Sequence, residues 1–436
     1  MPVRISTTLV LLAITTIFAA AVWGQAAPAQ KWKDRAEYDL YAGAADPKTD
    51  NAKKLELLNT WKEKYPTTEF KTERLALFLN TYSALNQPDK VLETGNEILA
   101  ADPKNIQAIY LMTASGPRLA KPTPEQLAMV DKAARTLTAN IDSLKPAGVA
   151  DAAWNAGKTD LLTVGYTTLG TLAMNRKDYE AAEKEFTACL KVNPNNGPMS
   201  YTLGTAMLAE KNADKYSAAL YHIARAASYA GAGASPEAAR KVAGDYLTKT
   251  YTSYHGSADG LDEIRKTASE QVFPPEGFTI ESKQALDIKK EEEFKKSNPM
   301  MALWQTVKTE LSGANGQTYF DSSMKGAMLP GGAGGVSKFK GTLVALKPVK
   351  LPKQLVLAIS DATTPEVTLN LEEALPGTAP VGTVLEFEGV ASAFTGSPFS
   401  VTFDIEAANL SGWPVAMPPA AKKAAGGAAP KAPAKK

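Results

Sequence analysis

The residue types that do chemistry are few in this sequence and widely spaced. Two histidines occur, His222 in "ALYHIARAA" and His255 in "TSYHGSA". A histidine base needs a group that orients it, and no carboxylate stands one helical turn from His222, which therefore reads as a helix-surface or inter-helix residue. No HExxH, CxxC or GxSxG pattern is present. The single thiol, Cys189, falls on the apolar stripe of a helix, where cysteines are buried and inert, and alone it forms no internal disulfide. The stretch "AAWNAGKTD" ends in Gly157-Lys158-Thr159 like a phosphate-binding loop, but Ala152 replaces the first glycine of the backbone nest and the surroundings are helical. A turn between two helices is expected there. These residues point away from an enzyme and call for no cofactor and no metal.

Composition narrows the classes further. The 436 residues are 44% hydrophobic and 22% charged, globular material sufficient for more than one domain. A formal charge of +2 supplies no whole-chain field for nucleic acid or an anionic membrane, so partners are argued locally.

The elements that would position a site begin with "YTTLGTLAMNRKDYEAAEKEFTACLKVNPNN". Tyr166, Leu169, Gly170 and Ala173 return to one face of a first helix, and Ala182, Phe186 and Cys189 to one face of a second. Gly170 and Ala182 allow close approach, Phe186 fills the joint, and Pro194 ends the second helix. Leu203 and Gly204 repeat the "LG" pair 34 residues later, with about three extra residues before Ala219, Ile223 and Ala226. The stretch resembles a tetratricopeptide repeat (TPR). Weaker units read upstream, at Leu75, Phe78, Tyr82, Val91, Ile98 and Pro103, which lack the central glycine, and at Tyr38, Tyr41, Leu58, Trp61 and Pro66. Residues 31–271 are thus expected to be an α-solenoid of TPR-like helical hairpins, ten or more helices with a concave groove. The resemblance implies a groove lined by Thr167, Thr171 and Asn175 from one hairpin and Tyr201, Thr205 and Leu208 from the next. Thr167 and Thr171 stand where some TPR domains place a lysine and asparagine clamp for a C-terminal carboxylate. An extended peptide or a helix suits such a mixed groove, while packing against the next repeat is the plainer role for the same side chains.

Residues 272–335 read as a linker with charged helices, bracketed by "VFPPEGF" and "MLPGGAGG". From 336 to 413 five alternating runs, "KFKGTLVALKP", "QLVLAIS", "EVTLNLEE", "TVLEFEGVASAF" and "FSVTFDIEAANL", signal strands. This segment resembles a five-stranded OB-like β-barrel; a small open sandwich is the alternative. The fold class is therefore multidomain, α plus β. Such barrels bind single-stranded nucleic acid through basic grooves. Here five lysines (Lys338, Lys340, Lys347, Lys350, Lys353) face eight acids, so nucleic acid is an unfavoured partner unless those lysines share one face.

Residues 1–26 have the build of an export signal, with Arg4 before an apolar run and cuts after Gly24 or Ala26; an uncleaved membrane anchor is the alternative. Residues 414–436 form an Ala/Pro/Gly tail with five lysines and no acid, expected to be disordered and able to touch an anionic envelope surface. The expected product is an exported periplasmic or envelope-associated scaffold, non-enzymatic, that docks a protein or peptide partner. The rival is an envelope polymer-binding protein or a carboxylate enzyme with its site between solenoid and barrel.

Overall fold

The computed structural model describes residues 31–414; the expected export signal and the lysine tail lie outside them. The chain is α plus β, fifteen α-helices and an eight-stranded curled sheet among the described residues, in two compact units that divide at Lys283/Gln284.

The first unit holds twelve helices: α1 Arg35–Ala45, α2 Asn51–Lys64, α3 Lys71–Ala84, α4 Pro88–Ala101, α5 Ile106–Ser115, α6 Pro124–Ala139, α7 Asp151–Asn175, α8 Tyr179–Val192, α9 Gly197–Ala209, α10 Tyr216–Ser228, α11 Glu237–His255 and α12 Leu261–Glu270. Local chemistry starts them. Side-chain oxygens of Asp34, Asp50, Asn105, Asp178 and Asn196 accept from free first-turn N–H groups, and Thr123 with Gln126 closes a full capping box. From α1 to α11 each helix packs on the next.

Two features recur at the 34-residue spacing. Lys177 and Lys211 both end a hairpin's first helix in the left-handed region, at φ 61° and 57°, and Asn86 does the same after α3 at φ 54°. Seven residues before Lys177 and Lys211 stand Gly170 and Gly204. A Cβ on Gly170 would lie 2.3 Å from the Phe186 ring, and one on Gly204 would lie 2.7 Å from both the Ala219 carbonyl and Ile223 Cγ1. Seven residues before Asn86 stands Leu79, fully buried, and the position matching Phe186 is Gly95, whose added Cβ would meet Met112 at 2.5 Å and Leu79 at 3.8 Å. The α3–α4 joint has the large and small residues exchanged between its helices.

One expectation is overturned here. Gly157-Lys158-Thr159 is not a turn but lies inside α7, a helix of 25 residues. Trp154 and Leu161, one turn to either side of Gly157–Lys158, are buried in the core, and Lys158 pairs with Asp142 at 2.6 Å, so the helix continues through the segment.

The second unit opens with α13 Lys283–Ser297, none of whose residues is buried, followed by α14 Pro299–Ser312 and α15 Gly316–Tyr319. Trp304, Val307 and Leu311 of α14, with Phe320 and Met324, join the core of the sheet, so much of the stretch read as a linker belongs to this unit. The strands are β1 Met328–Leu329, β2 Phe339–Lys347, β3 Gln354–Ala358, β4 Val367–Leu371, β5 Val384–Phe387, β6 Gly389–Gly396, β7 Phe399–Ile405 and β8 Leu410–Ser411, in the order β1-β6-β7-β4-β3-β2-β5-β8. The five runs hold seven of these strands, β2 to β8, and β1 lies before them in "MLPGGAGG". The fourth run breaks at Glu388 because β5 pairs with β2 and β8 whereas β6 pairs with β1 and β7. Gly389 makes that change of neighbours possible, since a Cβ there would lie 2.3 Å from Ile405 Cγ2. The fifth run divides likewise into β7 and β8. β4 and β7 are parallel; every other pair is antiparallel.

Candidate partner-binding face

Of the six side chains proposed to line a groove, three lie on α7 and three on α9. Thr167 is half-buried with its hydroxyl 3.7 Å from Cys189 Sγ, so it faces the partner helix of its own hairpin. Thr171 and Thr205 donate to backbone carbonyls one turn back, Thr167 O at 2.8 Å and Tyr201 O at 3.0 Å. Leu208 packs against two core clusters. Asn175, at the end of α7, is exposed. Tyr201 is half-buried, and its ring meets Tyr246 of α11 edge to face at 6.2 Å. Tyr246 is 38% exposed and Val242, one turn earlier on α11, is 63% exposed. The structure thus brings Tyr201 together with Tyr246, which sequence reading passed over, as it did Val242 one turn away. Their signal was the four-residue spacing of Val242 and Tyr246.

The repeat-defining residues are mostly interior. Leu169, Ala173, Ala182, Phe186 and Leu203 are buried, Tyr166 is half-buried, and Pro194 is exposed in the turn after α8. Cys189 is fully buried, and that burial pushes its thiol up to about 11, the Thr167 hydroxyl opposing weakly. The thiolate that nucleophilic chemistry requires is suppressed.

His222 is also interior rather than on a helix surface, 1% exposed, with Phe273 and Tyr221 edge-on to its ring. Burial, aided by the Arg225 guanidinium, lowers it to about 4. Arg225, itself buried, donates to the carbonyls of Ala268 and Gln271 at the end of α12 and to Pro194 O, at 3.0, 3.1 and 2.9 Å. Tyr221 adds bonds to Thr267 O and Gln271 O. The pair closes the carbonyl end of α12, where positive charge is favoured. Arg74 treats α2 in the same way, bonding Tyr65 O at 2.7 Å with its guanidinium over Trp61.

Carboxylates gather at one joint between hairpins. Lys215 bridges Glu183 of α8 and Glu210, 2.6 Å from each, and desolvation raises the Glu183 carboxyl against the pull of that lysine. The Tyr251–His255 end of α11 borders an open depression of about 460 Å³ with Asp259, Glu263 and Phe278; His255 Nδ1 lies 2.8 Å from Glu281 O.

In the second unit Glu366 is 1% exposed and accepts from Trp304 Nε1 at 3.1 Å, Ser360 N at 2.7 Å, Ser360 Oγ at 2.7 Å, Ile359 N and Lys308 Nζ. Burial alone would raise this carboxyl; the donors, Lys308 foremost, outweigh it and hold it below the ordinary value. With its acceptor sites filled, Glu366 fastens α14 to the sheet. The five lysines divide between the two ends of β2: Lys338 and Lys340 lie at its start, bonded to Ser411 and Glu386, while Lys347 ends the strand and Lys350 and Lys353 follow it. Among the described residues no group of three or more His, Cys, Asp or Glu is placed to hold a metal ion, and no helix is long and apolar enough to cross a membrane. Compared with known proteins, the sequence matches no family model and no curated protein.

Proposed function

We propose that the chain is an exported, non-enzymatic scaffold whose first unit is a TPR-like array that docks a protein or peptide partner, with the β unit, OB-like in its curl, as an accessory docking module. The observation that carries the reading is the contact of Tyr201 with Tyr246 beside exposed Val242, on the first helices of successive hairpins. Aromatic side chains half out of water beside an exposed aliphatic one, with polar Asn175 on the preceding first helix, have the character of a contact surface for an extended chain or amphipathic helix. The repeated glycine joints and left-handed turns support the repeat.

The test is affinity capture from envelope extract with the parent chain and with Val242→Ser/Tyr246→Ser. Both side chains are exposed, so helical content is expected to stay unchanged by circular dichroism. Loss of one dominant protein with the variant supports the reading. The same captured set from parent and variant overturns it.

A further inference from the structure

The six residues joining β2 to β3, "PVKLPK", present apolar side chains to water at a turn that the backbone holds firmly. Val349 is 65% exposed and Leu351 57% exposed, with exposed Lys350 between them and exposed Lys347 and Lys353 on either side. Hydrogen bonds fix the loop: Lys353 N–H to Lys347 O at 3.1 Å, Leu351 N–H to Gly377 O at 3.0 Å, and Leu375 N–H to Pro352 O at 3.0 Å. Leu351 is held at φ +52°, a left-handed conformation that a leucine adopts at a cost and that glycine would take freely. Leu351 belongs neither to the buried core of the sheet nor to the residues packed against it.

Charge identifies what such a surface meets. From Gly341 to Ser360 the chain contains three lysines and no acid. Among the described residues none of the three forms an ion pair with a carboxylate; Lys353 Nζ bonds only the backbone oxygen of Glu372. Glu372 and Glu373 open the neighbouring loop, next to Lys353, which leaves Lys347 and Lys350 as the uncompensated charges beside Val349 and Leu351. Exposed aliphatic side chains on a turn, flanked by cations, match the layering of a lipid interface, with acyl chains below and headgroup phosphates above.

We propose that the β2–β3 loop is a membrane-docking tip. Val349 and Leu351 enter the surface of an anionic phospholipid bilayer while Lys347 and Lys350 meet its phosphates. The loop belongs to the second unit, and its residues are other than those of the helical face assigned above.

Flotation of residues 27–436, the chain after the expected export cut, with vesicles of equal phosphatidylglycerol and phosphatidylcholine, and with phosphatidylcholine alone, tests this. Binding to the anionic vesicles is expected. Val349→Ser/Leu351→Ser is expected to weaken it about tenfold, and Lys347→Gln/Lys350→Gln to remove the preference for anionic over neutral vesicles. All these side chains are exposed, and unchanged circular dichroism checks the fold. Absence of binding by the parent overturns the proposal. So does full binding by the Val349→Ser/Leu351→Ser chain, which would put the affinity in the tail lysines.

Discussion

At the scale of single residues, the one thiol, Cys189, and one of the two histidines, His222, are buried. His222 is the sharpest case, because its low folded value makes it a stability term of known sign. The unfolded chain takes up a proton near 6.5, while the folded chain, with His222 among Tyr221, Phe273 and the Arg225 charge, refuses it until about 4. Stability from this site is therefore complete above pH 6.5 and is lost as pH falls toward about 4, roughly 2 kcal/mol of it between about pH 6.5 and about pH 5. Urea unfolding of the parent is expected to show that loss, and His222→Phe is expected to flatten it. An equal pH slope in the variant would mean that other groups carry the dependence. The sequence showed that no carboxylate flanks His222. Its burial was not visible, since that depends on Phe273, fifty-one positions away.

At the scale of elements, the helical pairs were legible because period and punctuation agreed: Gly170 and Phe186 for the joint, Pro194 for the stop, and a 34-residue return at Gly204. The upstream pair read weakly for want of a central glycine. Its glycine stands on the other helix, at Gly95, with Leu79 filling the space from the first. A pattern search that fixes which helix carries the small residue misses that exchange; a volume argument finds it. Gly170→Leu alone is expected to overpack the α7–α8 joint by several kcal/mol, and adding Phe186→Gly, which copies the upstream arrangement, is expected to recover about 1–3 kcal/mol of it. A double-mutant cycle in urea measures this coupling. Strictly additive costs would show that the two residues do not share one space. Strand counting failed for a different reason. Continuous alternation reports one face of a strand and not its neighbours, so a run that changes partners at Glu388 reads as one strand and folds as two. The buried carboxylates Glu37 and Glu366 were illegible for the same reason as His222, because their tryptophan partners, Trp61 and Trp304, are distant in sequence.

At the scale of the whole molecule, each unit closes a core of its own: the sheet's core draws on α14 and the strands, while the helical clusters draw on residues before Lys283. Stability is then the property of a unit, and a substitution is expected to act on the one that contains it. Glu366 offers a test because it collects donors from α14 and from the β3–β4 connection at once. Glu366→Gln keeps the shape but removes the charge that Lys308 meets, and its amide nitrogen confronts N–H donors, a loss of about 3 kcal/mol. For a unit of this size that lowers its melting temperature by roughly 6–12 °C. Calorimetry is expected to show that drop in one transition, with the transition that Gly170→Leu lowers left in place. A single transition moved by both substitutions would mean that the units unfold together, and the helical array and the sheet would then have to be treated as one cooperative body.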